Sequence, residues 1–260
     1  MNLDGAYSGM LAAIRERERV LVAFSGGVDS GLVAKIAHDA LDGNALAVIA
    51  DAESLSRREL SEARAEAEEI GIALRVTFVS ELANAEYRRN PANRCYFCRT
   101  ELAGELRGIA AKEGFTTIAD GVNVSDLGDF RPGIRAMDQA GFWHPLVEFG
   151  LAKSEVRSLA KQVDLSFWDK PSNACLSSRI PRGTAITLEL LRNVEAAEEV
   201  LRERGFRQVR VRHFGTTARI EVFPEDIPRL ERMRNELAVA LREFGYEEMV
   251  IDAAGYRAVA

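Results

Sequence analysis

Six residues, Ser25-Gly26-Gly27-Val28-Asp29-Ser30, join an apolar run ending at Phe24 to a helical pattern, and their types suit phosphate binding. Glycines let a backbone approach an anion closely, and a helix opening directly after them presents unpaired N–H groups and a favourable dipole. Ser25 and Ser30 add hydroxyl donors. Asp29 opposes phosphate unless a divalent cation such as Mg2+ lies between them, as nucleotide sites commonly arrange. The spacing is neither Gly-x-Gly-x-x-Gly nor Gly-x-x-x-x-Gly-Lys-Ser/Thr. A plain strand–helix turn capped by Ser25 or Asp29 is the alternative. The Asp-Ser completion after a buried strand favours phosphate.

A second constellation is thiol-based. The chain holds three cysteines. Cys95 and Cys98 stand in Cys-x-x-Cys spacing, and Cys175 lies far downstream in a Pro/Ser-rich stretch beside Arg179 and Arg182. Two thiols so spaced form a redox pair, half a zinc site or part of an iron–sulfur site. A zinc set of three cysteines with His144 or His213 is one alternative. The redox pair ranks lower, because the segment is not the strand-to-helix opening of a thioredoxin-like unit. Two further groups carry charge. "ADGVNVSDLGDFRPG" gathers Asn123, Asp126, Asp129 and Arg131, where the carboxylates suit Mg2+ and the arginine a phosphate. An Asn/Asp/Gly turn accounts for the same residues. "RQVRVRH" alternates, so Gln208, Arg210 and Arg212 share one strand face, a credible phosphate clamp or a solvated sheet face.

These residues need a scaffold. "RVLVAF" (19–24), "ALAVIA" (45–50), "LRVTFV" (74–79) and "TTIADG" (116–121) read as strands. They alternate with helical patterns at about 28–41, 56–71 and 98–113, and a further helix spans about 153–164. Continuous apolar strands alternating with helices predict an α/β fold, a parallel sheet with helices on both faces. In such sheets ligands lie at the carboxyl ends of the strands, which brings Ala50–Ser54 and Gly121–Asn123 toward the phosphate loop. From 166 to 182 a long Pro/Ser/Gly stretch lacks periodicity, and loops of that length are usually functional or disordered. Beyond it a helix (about 187–204), two short strands, a helix (about 225–244) and a strand near "EMVIDA" predict a smaller α+β domain over 183–260. The first domain is 1–165.

The 260 residues suffice for such a core, and a formal charge of −6 counts against a broad nucleic-acid surface. No apolar run follows a basic stretch near the first residues, and no segment approaches the ~20 apolar residues of a membrane span. A cytoplasmic protein without membrane or nucleic-acid partners is expected.

The string SGGVDS resembles the SGGxDS loop of the PP-loop ATP pyrophosphatases, of the adenine nucleotide alpha hydrolase-like fold. "NPANRCYFCRTEL", "DGVNVSDLGDFRPGIRA", "WDKPSNACLSSRIPRGTAIT" and "FRQVRVRHFGTTARIEV" occur in the order found in the LarE family. That resemblance runs from about residue 19 to residue 223. It implies an ATP-dependent, AMP- and pyrophosphate-forming sulfur transferase. Such an enzyme adenylates a carboxylate of pyridinium-3,5-biscarboxylic acid mononucleotide and converts it to a thiocarboxylate, in making the nickel-pincer nucleotide cofactor of lactate racemase. It further implies that Ser25, Gly26, Gly27, Asp29 and Ser30 hold pyrophosphate and its Mg2+, with Ala50, Ser54, Gly121 and Asn123 near the ATP.

Cys175 matches a cysteine that some family members sacrifice as sulfur donor. Cys95, Cys98 and Cys175 together match the set that holds a [4Fe-4S] cluster in others, with one iron open to hydrosulfide. The candidate catalytic set is then Cys175, Asp29 and Arg179. Arg210 and Arg212 are expected on the substrate phosphate, while Tyr96 and Trp168 suit stacking on a pyridinium ring and core packing equally. Asp126 and Asp129 are further Mg2+ candidates. The partners implied are ATP, the pyridinium mononucleotide, and sulfide or another sulfur donor, in a homo-oligomer built on trimers. A PP-loop tRNA thiolase and a non-catalytic nucleotide sensor are the alternatives.

Overall fold

The structure is a computed structural model that describes residues 3–128, 131–172 and 174–256. The chain divides into two units that are not contiguous in sequence. The first takes residues through Ala52, Arg57–Glu81 and Asn93–Lys170, and the second takes Glu53–Ser56, Leu82–Ala92 and Pro171 onward.

In the first unit, strands β1 (Val20–Ala23), β2 (Ala45–Asp51), β3 (Ala73–Phe78) and β4 (Thr117–Ala119) form a parallel sheet in the order β3-β2-β1-β4. Val20, Leu21 and Val22 are fully buried, as an apolar run covered on both faces must be. The helices are α1 (Leu3–Arg15), α2 (Val28–Leu41) and α3 (Arg57–Ile70), then, past α4 (Ala85–Arg88) in the second unit, α5 (Arg94–Glu113), α6 (Pro132–Gln139), α7 (Pro145–Glu148) and α8 (Lys153–Gln162). Helix α2 packs against α1, α3 and α8, while α5 packs against α6. Helix α1 was not among the sequence expectations, although Ala6, Met10 and Ile14 bury one face at four-residue spacing. Helix α5 begins four residues earlier than the expected 98, so Cys95 and Cys98 both lie in its opening turns.

The strand order has a functional consequence. The chain leaves β1 for β2 on one side, and β4 returns to the other side of β1. The carboxyl ends of β1 and β4 therefore flank the switch point where open α/β sheets bind ligands. There the loop after β4 meets the start of α2 directly. A Cβ on Gly121 would lie 2.5 Å from the Ser30 amide nitrogen and 2.9 Å from the Asp29 carbonyl carbon.

In the second unit, α9 (Leu188–Glu203) precedes β5 (Val209–Phe214) and β6 (Thr217–Val222), an antiparallel hairpin turned by Gly215 at φ +62°. The expected helix over 225–244 is broken. Helices α10 (Ile227–Arg232) and α11 (Arg234–Leu241) meet at Met233, whose φ −95° and ψ 2° cap both. Strand β7 (Glu248–Ile251) adds in parallel to β6. Leu201, Phe206, Val211, Ile220, Leu237 and Leu241 form part of this unit's core. Among the described residues, no helix is long and apolar enough to cross a membrane.

The Gly121 contact is with backbone and cannot be relieved by a side-chain rotation. Gly121→Ala is expected to destabilise the fold by about 1–3 kcal/mol, the usual cost of overpacking, as read by urea denaturation.

Candidate functional site

The Ser25–Ser30 loop is built from short contacts. Ser30 Oγ accepts the Ser25 amide at 3.1 Å, lies 3.0 Å from Ser25 Oγ, and donates to the Gly27 carbonyl at 3.2 Å. Gly26 has φ +68°, and a Cβ there would meet Ala63 Cβ at 2.7 Å, so glycine is required on both counts. Gly27 caps α2 without a side chain, leaving the helix N-terminus to outside acceptors. The loop is a backbone cradle with two hydroxyls at its rim.

Two lysines complete it, and neither was foreseen. Lys153 Nζ is ion-paired with Asp29 Oδ2, while Asn123 Nδ2 donates to Asp29 Oδ1 at 3.3 Å. Lys153 is the first residue of α8, where a cation opposes the helix dipole. That misplaced charge was the available signal. Lys170 donates to the Gly26 carbonyl at 2.8 Å and pairs with Glu66 and, at 3.2 Å, with Glu62. Burial pushes the Glu66 carboxyl up to about 6; Lys170 pulls it back, and Glu62 and Glu69 add to the rise. Glu66 Oε2 is buried without a hydrogen-bond partner.

The other expected residues fall into groups. Gly121 and Asn123 join the loop, as described. Ala50 lies beyond the last β1 partner of β2, Val48, and is half-buried. Asp126 accepts the Asn123 amide at 3.1 Å and pairs with Arg131 at 2.7 Å, so it braces the loop after β4. Asp129 lies outside the described residues. Among the described residues, no three His, Cys, Asp or Glu side chains gather closely enough to hold a metal ion. For a single Mg2+, Asp29 offers a carboxylate at the mouth of the phosphate cradle.

The thiols divide between the units. Cys95 and Cys98 are half-buried in the opening turns of α5. Gly133 of α6 approaches closely, its would-be Cβ lying 3.6 Å from Cys95 Cβ. Cys175, in the second unit, caps a short 3-10 turn, Leu176–Arg179. None of the three cysteines is in a disulfide. His144 is not available as a fourth ligand. Its Nδ1 lies 2.7 Å from Asp120 and its Nε2 2.8 Å from Asp138. His213 sits edge-on to Tyr246, with centroids 5.9 Å apart. Trp168 carries Lys161 over its ring at 4.6 Å, and Tyr96 donates to Gln139 at 2.8 Å.

Within the second unit the arginines take three different roles. Arg179 is 2% exposed and ion-paired with Glu198, and it also donates to the carbonyls of Ala174 and, at 3.2 Å, Cys175. Glu198, fully buried, further accepts from Arg202 at 2.8 Å and from the Val211 amide at 3.1 Å. Arg179 thus fixes the backbone around Cys175. Ser54 joins the same loop, its carbonyl accepting the Leu176 amide at 2.9 Å. Arg212 is held by Glu221 at 2.7 and 3.0 Å and donates to the Ser178 carbonyl at 3.0 Å. Arg210 stands apart. It is 5% exposed and stacked 4.5 Å from the centre of the Tyr256 ring, its Nε has no partner, and burial lowers its pKa. A buried cation with an unpaired donor carries a desolvation cost that its surroundings only partly offset.

A family model for NAD synthase matches residues 11–108, the stretch that holds the phosphate loop. With the parallel sheet and the Ser-Gly-Gly-x-Asp-Ser loop at its switch point, this places the first unit among PP-loop, ATP-using enzymes. An uncharacterized protein of Synechocystis sp. is 45% identical over 257 residues, spanning 98% of this chain and 96% of its own length. The pyridinium-3,5-bisthiocarboxylic acid mononucleotide synthase of Lactiplantibacillus plantarum is 35% identical over 249 residues, spanning 95% and 90%. An uncharacterized protein of Methanocaldococcus jannaschii is 25% identical over 242 residues, spanning 93% and 92%. The chain belongs to the LarE family of ATP-dependent sulfurtransferases.

Two outcomes follow from the charged groups at the loop. Lys153→Met removes the cation facing Asp29 and the incoming phosphates. It is expected to weaken Mg·ATP binding about tenfold by calorimetry, with little change in melting temperature. Glu66 keeps its proton in the folded chain from the usual 4.5 up to about 6, where the unfolded chain has already lost it. Stability from this group therefore falls as pH rises through that window, by up to about 2 kcal/mol. Thermal melts of Glu66→Gln against wild type should show the variant gaining relative stability across the same interval.

Proposed function

We propose that this chain adenylates a carboxylate of pyridinium-3,5-biscarboxylic acid mononucleotide and replaces the AMP with sulfur. A carboxylate oxygen attacks the α-phosphorus of ATP, the bond from that phosphorus to the bridging oxygen breaks, and pyrophosphate leaves. A hydrosulfide-level nucleophile then adds to the acyl carbon, the carbon–oxygen bond to AMP breaks, and a thiocarboxylate remains. A carboxylate resists nucleophiles, whereas an acyl adenylate carries a good leaving group.

The residues take roles from their positions. The Ser25–Ser30 backbone and hydroxyls hold the departing pyrophosphate, Asp29 holds Mg2+, and Lys153 is released to the phosphates when the metal takes Asp29. Ala50, Ser54, Gly121 and Asn123 border the nucleotide. In the second unit, which we take as the substrate-binding part, Arg210 receives the substrate phosphate with Arg212 beside it. Arg179 positions Cys175. Cys95, Cys98 and Cys175 would hold a [4Fe-4S] cluster, which supplies an iron position open to hydrosulfide.

The reading is carried by one observation: the likeness to the pyridinium-3,5-bisthiocarboxylic acid mononucleotide synthase spans 95% of the chain, including the phosphate loop. Anaerobically purified protein, given ATP, Mg2+, the pyridinium mononucleotide and sulfide, is expected to form AMP, pyrophosphate and thiocarboxylate in equal amounts. It should carry about four irons per chain, and Cys95→Ala should lose both iron and repeated turnover. Iron-free protein that still turns over repeatedly would reject the cluster. A single turnover with loss of hydrogen sulfide from Cys175 would assign the sulfur to that side chain.

A further inference from the structure

His144, set aside as a zinc ligand, has two carboxylate contacts that lead to the phosphate loop. The backbone of Trp143 runs beside β4 as one parallel bridge. Its amide donates to Ile118 at 2.8 Å, and its carbonyl accepts from Asp120 at 3.1 Å. This register brings His144 beside Asp120, the residue after β4. Asp120 Oδ1, 2.7 Å from His144 Nδ1, also accepts the Val122 amide at 3.0 Å. One carboxylate oxygen therefore fixes the turn that contains Gly121 and leads to Asn123. Gly121 rests on the α2 backbone at Asp29–Ser30, and Asn123 donates to Asp29. On its far side His144 is held by Asp138 at 2.8 Å.

We propose that His144 is a positioning residue for ATP: bridging Asp138 to Asp120, it locks the Gly121–Asn123 turn against the N-terminus of α2 and so holds the phosphate cradle in register. The inference rests on the Ser25–Ser30 loop being the ATP site. An imidazole with a carboxylate on each nitrogen satisfies both only as the cation, since the neutral ring donates from one nitrogen alone. Burial works against that charge, but the hydrogen bonds and charges of Asp120 and then Asp138 outweigh it, and the pKa stands at about 8. Other charged groups lie one layer away. Glu148 of α7 accepts from the Trp143 indole at 2.6 Å, and Arg17, just after α1, lies 3.6 Å from the centre of the same ring. The clamp is complete below pH 6.5 and is released as pH rises through about 8.

The test is Mg·ATP affinity, by calorimetry, below pH 6.5 and above pH 8, for wild type, His144→Gln, Asp138→Asn and Asp29→Ala. Wild type is expected to weaken above pH 8. His144→Gln should bind about tenfold more weakly at low pH and show no such step. Asp138→Asn removes one of the two carboxylates sustaining the charge, so its step should move to lower pH, a displacement that a merely structural role would not cause. Asp138 is largely exposed, so this variant carries the test should His144→Gln fail to fold. Level wild-type affinity across the interval, or His144→Gln binding as wild type does, overturns the inference. If wild type does not bind Mg·ATP, or Asp29→Ala leaves binding intact, the assignment of the ATP site falls instead.

Discussion

The first unit turns on a contact without side chains: the backbone at Gly121 against the backbone at Asp29 and Ser30. A phosphate cradle needs the first N–H groups of a helix unpaired yet immobile, and unpaired groups cannot be fixed by hydrogen bonds of their own. Steric support from behind is the remaining means. Gly121 supplies it from β4, while Gly26 turns the loop through a left-handed conformation under Ala63. The two glycines serve different ends, one closeness and the other a positive φ. The order β3-β2-β1-β4 makes both possible, because it sets β4 directly beside β1.

Charge is balanced around this frame before any nucleotide arrives. The helix end and two lysines are positive; Asp29, Glu62 and Glu66 answer them. Each pair is partly removed from water, where charges interact more strongly than in bulk. Lys153 answers Asp29, a residue of the loop's own sequence. Lys170 is tied differently, because the Gly26 carbonyl and the poorly solvated Glu66 hold it to the loop itself.

The strands of the first sheet were legible because they are short apolar runs between turn signals, and β1 to β4 fall within a residue or two of expectation, save that β4 ends at Ala119. The SGGVDS loop was legible because its types and its place after a buried strand agree. What failed was of two kinds. The break at Met233 sits inside a continuous helical pattern, and no proline or glycine marks it. Lys153, Lys170 and His144 failed for another reason. Their importance lies in partners 124, 144 and 24 residues away, and single residues of common type announce no such pairing. The Cys-x-x-Cys spacing was plain, whereas its place within the opening turns of α5 was hidden by expecting the helix to begin after it.

The three arginines near Cys175 and on β5 show how far identical charge can diverge in meaning. Removing Arg179 would break a fully buried ion pair and leave Glu198 with Arg202 and the Val211 amide, so the cost falls below the about 3–5 kcal/mol of a buried charge left without a partner. Lost activity in such a variant would report the fold around Cys175 before it reported chemistry. Arg210 is the reverse case: a desolvated cation with an open Nε, stacked on Tyr256 and facing no carboxylate in ion-pair contact among the described residues. Its burial opposes its charge, while Tyr256 and Glu221 partly offset that. Arg179 and Arg212 are thus spent on holding backbone and carboxylates in place, whereas Arg210 is held by stacking.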